Sequence, residues 1–336
     1  MVQNLNLINA KKAKKDEFYT QLVDIENEIN AYLDYNPDVF KDKTILLPCD
    51  DPSWSNFTRY FITHFKTLGL KKLISTSHSQ QEDSPRGKIF TLEQGEEINL
   101  DNIPFDYLEG DGDFRCEEIT KLCNEADMII TNPPFSLFRE FIAWLIEGEV
   151  EFSIIGNMNA ITYKEVFPLI KNNQVWLGKG FTSSVGFFLS PYEDIAVATD
   201  RKSGFIRVSG VIWITNIDHE RRHELLDLKT MEENLTSNNR IMKNPNSYVK
   251  YDNYDAIEVP ITAGIPSDYD GIMGVPISFL DKYSPEQFEI LGTQRWSKSK
   301  ELLDVYKGKV IPPENDKKTL INGKETYDRI FIKHKI

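Results

Sequence analysis

The sharpest chemical content in these 336 residues lies in Asn132-Pro133-Pro134-Phe135, placed directly after the apolar run Asp127-Met128-Ile129-Ile130-Thr131. That run reads as a buried strand. In an open parallel sheet, ligands bind beyond the carboxyl ends of the strands, so the tetrapeptide stands where chemistry is expected. Its two prolines stiffen the backbone and remove two N–H donors. What remains is rich in acceptors: the side-chain oxygen of Asn132 and the carbonyl of Pro133. Two acceptors in fixed geometry suit an exocyclic amino group, which has two hydrogens to donate. Phe135 can stack on the ring bearing that amine. A ring-conjugated amine is a poor nucleophile, and bonding both its hydrogens favours the pyramidal nitrogen that attacks a methyl donor. The plainer reading is a strand-ending turn, where Asn and Pro are common. The strand before and the aromatic after weigh against it.

Such a corner has to be held by a scaffold, and the first half of the chain supplies the pattern of one. Short apolar runs predict strands at Thr44–Pro48, Lys72–Thr76, Asp127–Thr131 and Phe152–Gly156. Amphipathic stretches predict helices at Asn56–Leu68, Cys116–Asn124, Leu137–Glu147 and Tyr163–Lys171. This alternation is that of an α/β fold with a parallel sheet. After about Val175 the texture changes to β-like runs (Val175–Leu177, Val185–Leu189, Val211–Thr215) separated by polar loops. Asp218 to Ser247 is polar and shows no clear strand. The predicted boundary falls near Ile217, giving a core over residues 1–217 and a second region over 218–336.

Composition narrows the class. Hydrophobic content of 40% with 27% charged residues describes a globular chain and excludes wholesale disorder. No apolar run approaches the roughly 18 residues of a membrane helix. The lysines at 11, 12, 14 and 15 are followed by Asp16 and Glu17 instead of an apolar stretch, so a cytoplasmic protein without a secretory signal is expected. Cys49, Cys116 and Cys123 form no C-x-x-C pair and read as reduced thiols. The net charge of −13 does not exclude DNA, because phosphates sense the local field. From Glu82 to Asp127 there are 14 acids and 4 bases, a local −10. From Glu289 to the end, 11 bases and 7 acids leave a local +4.

His219-Glu220-Arg221-Arg222-His223 matches the zinc-protease pattern H-E-x-x-H. Its neighbours are charged, however, whereas a zinc helix is core-packed, and two arginines would oppose a dication. No metal is expected. Arg201, Lys202, Arg221, Arg222 and Arg295 belong to a basic set in the second half that suits a DNA-facing surface, solvated surface being the plainer reading of each.

The chain resembles the amino-group DNA methyltransferases with an Asn/Asp-Pro-Pro-aromatic motif, and more closely the EcoRI-type adenine-specific methyltransferases. The matching pieces are Asp16-Glu17-Phe18-Tyr19-Thr20-Gln21, Asp50-Asp51-Pro52 through Ser55-Asn56-Phe57, Gly110-Asp111-Gly112-Asp113-Phe114-Arg115, and Thr131 through Glu140. Thr162 through Phe167, Tyr251 through Ile257 and Met273 through Ile277 extend the match in order toward the C-terminus.

The resemblance implies a Rossmann-like S-adenosylmethionine-dependent methyltransferase fold with a C-terminal DNA-recognition region. It implies methyl transfer to N6 of a flipped-out adenine in double-stranded DNA, S-adenosylhomocysteine as product, no metal and no membrane. A role in restriction–modification or as a phage or orphan modification enzyme would follow, with a cognate endonuclease acting on the same site without a stable complex. Asn132, Pro133, Pro134 and Phe135 would be catalytic, and Tyr19, Thr20, Asp50, Asp51, Asp111 and Asn132 would meet the cofactor. One departure stands out: Cys49-Asp50-Asp51-Pro52-Ser53-Trp54-Ser55 has no glycine where such enzymes carry a Gly-rich loop. Asp50 and Asp51 could still accept from the methionine ammonium or ribose hydroxyls; an acidic loop capping a helix is the alternative. Asp111 resembles the acid that accepts from the cofactor's adenine amine, against a turn residue. The acid expected after the second strand is absent, since Ser75-Thr76-Ser77-His78-Ser79 stands there. Methyltransferases of RNA adenine or protein glutamine share the motif, and a catalytically idle DNA-binding module on the same fold is the competing class.

Overall fold

The structure is a computed structural model, and it describes residues 20–79, 86–181, 185–189, 205–294 and 318–335. The chain divides into two compact units: residues up to Val166 with Val175–His219, and Phe167–Gln174 with Glu220 onward. None of the described helices is long and apolar enough to cross a membrane.

The first unit is built on an eight-stranded sheet. Its strands are β1 (Thr44–Leu47), β2 (Lys72–Ser77), β3 (Lys88–Glu93), β4 (Asp106–Tyr107), β5 (Met128–Thr131), β6 (Glu151–Asn157), β7 (Trp176–Leu177) and β10 (Val211–Thr215). Their order is β4-β3-β2-β1-β5-β6-β10-β7. Strands β2, β1, β5 and β6 are mutually parallel. Strands β3 and β10 run antiparallel to their neighbours β2 and β6, so the sheet is mixed where a parallel one was expected. The reason at β3 is length: ten residues, 78–87, separate it from β2, too few for a helical crossover. Strands β8 (Val185–Leu189) and β9 (Phe205–Ser209) pair as a separate antiparallel ribbon.

Strands β1 and β5 are buried at every position, as expected of a sheet covered on both faces. Helices α1 (Leu22–Tyr35) and α2 (Asn56–Leu68) cover the face that carries Ile45, Leu47, Met128 and Ile130. Helices α3 (Glu117–Glu125) and α4 (Phe138–Glu147) bury Ile119, Cys123, Phe141 and Leu145, and Phe138 of α4 lies against Gly156 of β6. Helix α1 carries no side-chain N-cap bond at Gln21, which removes the usual start signal from its sequence. The helix predicted over Tyr163–Lys171 shortens to α5 (Phe167–Lys171). Pro168 explains this: proline is tolerated only in a first helical turn, so no helix can extend four residues upstream of it.

The second unit carries α5, α6 (Met231–Ser237), α7 (Asn239–Lys243) and a four-stranded sheet in the order β11-β12-β16-β13. Those strands are β11 (Ile257–Glu258), β12 (Met273–Pro276), β13 (Phe288–Thr293) and β16 (Arg329–His334), with β14 (Leu320–Ile321) and β15 (Lys324–Glu325) as a hairpin. Inside it, Arg329 donates to both oxygens of Glu258, and the Tyr251 hydroxyl donates to the same carboxylate. All three residues are buried. Removing one member of a buried ion pair leaves an uncompensated charge. Glu258→Ala should therefore lower stability by about 3–5 kcal/mol in urea denaturation, whereas Tyr251→Phe, which leaves the ion pair in place, should cost only about 1.5–2 kcal/mol. Equal losses for the two variants would contradict this account of the triad.

Candidate active site

The chain leaves β1 toward β2 on one side and later enters β5 on the other, so the order reverses between β1 and β5. In open α/β sheets the usual ligand position lies at such a reversal, beyond the carboxyl ends of the two strands. Asp50 follows β1 and Asn132 follows β5 at that edge.

Asp50 is 5% exposed and is bonded from every side. Its backbone N–H donates to Thr76 O at 2.8 Å, and Ser75 Oγ donates to its carbonyl at 2.6 Å, which pins it to β2. Ser55 Oγ donates to Oδ1 and Thr131 Oγ1 to Oδ2, each at 2.6 Å. Burial pushes the Asp50 carboxyl up to about 7, with the Ser55 and Thr131 hydroxyls pulling the other way and Asp51 adding to the rise. Both oxygens thus serve the protein's own hydroxyls. Ser55 is at the same time the N-cap of α2, accepting from the Phe57 and Thr58 N–H groups. Asp51 turns to Lys88, whose Nζ lies 2.9 Å from Oδ2 and 3.0 Å from Ser53 Oγ.

Asn132 is half-buried, and its Nδ2 donates to Thr20 Oγ1 at 3.2 Å. Thr20 is in turn held by Asn56, whose Nδ2 donates to its carbonyl at 2.7 Å. Pro133 is buried, and Pro134 and Phe135 are half-buried, Phe135 packing on the core beneath α1 and α2. A short 3-10 turn, Phe135–Leu137, runs from there into α4.

Asp111 is brought to the end of β2, beside the segment where sequence reasoning found no acid. Its carbonyl accepts from Ser79 N at 2.7 Å, and its Oδ2 lies 3.9 Å from His78 Nδ1. Its Oδ1 accepts from Asp113 N within the turn. Gly112, at φ +81°, is required there: a Cβ would stand 2.3 Å from Ser77 O. Arg115 clamps Asp113 with two nitrogens, holding that carboxyl below its ordinary range, and reaches Glu140 of α4 at 2.8 Å.

Among the candidates, Thr20, Asp50 and Asn132 thus fall into one bonded group, while Asp51 and Asp111 stand in separate arrangements. Tyr19, Arg201, Lys202 and Arg295 lie outside the described residues. Arg221 pairs with Asp281 at 2.6 Å, and Arg222 Nη2 donates to Asn173 Oδ1 at 2.5 Å. The H-E-x-x-H stretch forms only a 3-10 turn at Glu220–Arg222, without the helical spacing that puts both histidines on one face. His219 Nε2 lies 2.9 Å from Leu177 O, and His223 Nδ1 lies 3.0 Å from Glu286.

Sequence reasoning did not single out Ser55, Asn56 or Thr131 as site residues. Their polar side chains adjoin motif positions, but the bonds they form span up to 81 residues. It also did not pair Arg139, at the start of α4, whose guanidinium stands 4.3 Å from the Tyr163 ring centre and 3.7 Å from Glu165.

The raised carboxyl of Asp50 gives a pH signature of known sign. Between its ordinary value, 3.8, and about 7, the folded state keeps a proton that the unfolded chain releases. Relative to Asp50→Asn, which cannot ionise, the wild type should lose about 1.4 kcal/mol of stability per pH unit across that interval and none above it. Urea denaturation of both proteins from pH 5 to 8 measures this, and parallel profiles would contradict it.

The family model described as adenine-specific methyltransferase EcoRI matches residues 6–335. The type II methyltransferase M.EcoRI of Escherichia coli is 41% identical over 346 residues, covering 99% of this chain and 97% of that protein. The type II methyltransferase M.MpnI of Mycoplasma pneumoniae is 34% identical, covering 97% of each chain. The type II methyltransferase M.MgeORF184P of Mycoplasma genitalium is 33% identical, covering 96% of this chain and 97% of that one. No solved structure gives a match. With Asn-Pro-Pro-Phe at the carboxyl edge of a mixed α/β sheet and a family match running through both units, the chain belongs to the EcoRI family of adenine-specific methyltransferases.

Proposed function

We propose that this protein transfers a methyl group from S-adenosylmethionine to N6 of an adenine extruded from double-stranded DNA, at one defined sequence, as the modification half of a restriction–modification pair. The observation that carries the reading is Asn132-Pro133-Pro134-Phe135 at the strand-order reversal, in a chain of this family. The relatives' designation as type II methyltransferases supports the restriction–modification setting, with an endonuclease that reads the same site without a stable complex.

The donor set at the sheet edge fits S-adenosylmethionine. Asp111 spends Oδ1 on its own turn and keeps Oδ2 at a half-exposed position, suited to an adenine amine. Tyr19 and the backbone N–H of Thr20 would meet the methionine end, the Thr20 hydroxyl and carbonyl being taken by Asn132 and Asn56, and Asp51, steadied by Lys88, the ribose or ammonium. Asp50 has both oxygens engaged and acts by holding β1, β2 and β5 together. When bound, the cofactor supplies an electrophilic methyl group. The protein's part is to aim the amine. Asn132 Oδ1 and the Pro133 carbonyl accept its two hydrogens, the nitrogen gains lone-pair character, and both acceptors strengthen as positive charge develops on it. Phe135 stacks on the extruded base, offsetting part of the few kcal/mol that extrusion costs. The proton released after methylation passes to water.

We assign target recognition to the second region, residues 218–336, where the basic excess toward the C-terminus suits phosphate contacts. Arg221 and Arg222 are already engaged by Asp281 and Asn173, so they serve DNA by exchanging or sharing those partners. Arg295 belongs to the same region, and Arg201 and Lys202 are proposed as phosphate contacts from the core range.

Tritiated methyl transfer to mixed-sequence DNA, followed by mapping of the methylated bases, tests the reading; label on cytosine, RNA or protein alone would overturn it. Asn132→Ala should lower kcat more than tenfold, a loss above ~1.4 kcal/mol in the transition state, with an unchanged far-UV spectrum. Millimolar EDTA should leave the rate as it is; a loss restored by zinc would instead put a metal at His219 and His223.

A further inference from the structure

A carboxamide has two faces of nearly the same shape. One end accepts hydrogen bonds and the other donates them, and a half-turn about the last side-chain bond exchanges the two. For an amine that must give up both hydrogens, only the oxygen-forward rotamer of Asn132 is productive. The nitrogen-forward rotamer sets donor against donor. Something must choose between them before the base arrives, since preorganised groups cost no rearrangement in the transition state.

Thr20 Oγ1 accepts from Asn132 Nδ2 at 3.2 Å, so the amide nitrogen faces Thr20 and Oδ1 is turned away from it. Thr20 does not drift, because it is 3% exposed and its carbonyl is gripped by Asn56 Nδ2 at 2.7 Å. Asn56 opens α2, and the cap of that helix, Ser55, donates to Asp50 Oδ1. Asp50 Oδ2 takes the hydroxyl of Thr131, the residue just before Asn132. The bonds therefore close a ring: Asn132, Thr20, Asn56, Ser55, Asp50, Thr131 and back to Asn132. One arm fixes the backbone from which Asn132 projects, and the other fixes the rotation of its amide.

We infer that Thr20 and Asn56 are positioning residues, which hold the Asn132 carboxamide with its oxygen toward the target amine, a role distinct from cofactor contact. The inference rests on the adenine-methylation reading above, and it separates from that reading because the ring exists whether or not DNA is methylated.

Three variants test it. Thr20→Val keeps the shape and deletes the hydroxyl; at saturating DNA and S-adenosylmethionine its single-turnover rate should fall about tenfold, the equivalent of one lost hydrogen bond. Its affinity for S-adenosylhomocysteine, measured by titration calorimetry, should stay within about threefold, on the order of half a kcal/mol. Thr20→Ser restores the hydroxyl and should recover most of the rate. Asn56→Asp keeps polarity but cannot donate to the Thr20 carbonyl, and it should reproduce the rate loss in part. A Thr20→Val enzyme with full single-turnover rate, or one whose whole defect is weaker S-adenosylhomocysteine binding, would overturn the inference.

A second measurement stands apart from activity. In ¹⁵N spectra, the Asn132 side-chain amide, assigned by its loss in Asn132→Ala, should exchange slowly with water in the wild type and in Thr20→Ser, and fast in Thr20→Val. Unchanged exchange in Thr20→Val would overturn the inference even if the wild type proved to methylate a different acceptor. That last result would overturn only the functional reading.

Discussion

One buried carboxylate organises the first unit. Asp50 stands where β1 ends, and the groups bonded to it come from β2, β5 and the cap of α2. Burial of an anionic carboxylate is unfavourable unless its oxygens are bonded, and here each oxygen takes a hydroxyl. Hydroxyls neutralise nothing, so the carboxyl still rises to about 7 and part of the desolvation cost remains in the folded state. The arrangement ties the strand edges into one rigid lip, and the Asn132 corner projects from that lip.

The same lip accounts for the absent glycine loop. A glycine-rich turn lets backbone approach a ligand closely. In its place the chain uses a polar turn whose side chains bond inward, and it moves the tight glycine packing to the Gly110-Asp111-Gly112 segment. There Gly112 presses on Ser77 at a positive φ that other residues rarely adopt. The antiparallel β3 and β4 make this possible: β3 starts at the carboxyl edge, where Lys88 pairs with Ser77 and stands beside Asp51, and β4 leads the chain back to that edge. Four acids of the stretch from Glu82 to Asp127 are spent on ion pairs with lysine or arginine among the described residues: Glu93 with Lys72, Glu97 with Lys66, Asp113 with Arg115 and Glu117 with Lys121.

The second unit solves its burial problem differently. Glu258 and Arg329 come from strands β11 and β16, which are not neighbours in the sheet, and they meet with Tyr251 inside an apolar cluster containing Tyr254 and Phe331. An ion pair of this kind is weak evidence for stability, yet breaking it is costly.

Residue order alone was enough to place the Asn132 motif, because strand, turn chemistry and aromatic are neighbours along the chain. The α2 helix was equally legible from its amphipathic period. Helix α1 was not, lacking a capping side chain, and the polarity of β3 was hidden because strand direction depends on how a connection folds back. The site divides the same way. Asn132, Thr20 and Asp50 could each be named from local motifs, but 112 residues separate Thr20 from Asn132 and 81 separate Asp50 from Thr131. Hydrogen bonds are short and directional, and no periodicity in one dimension encodes which distant partners come within 3 Å. The chemistry available at the Asn-Pro-Pro-Phe corner was therefore fixed by residue type at adjacent positions, while the orientation of its amide was decided only when the sheet brought Thr20 beside it.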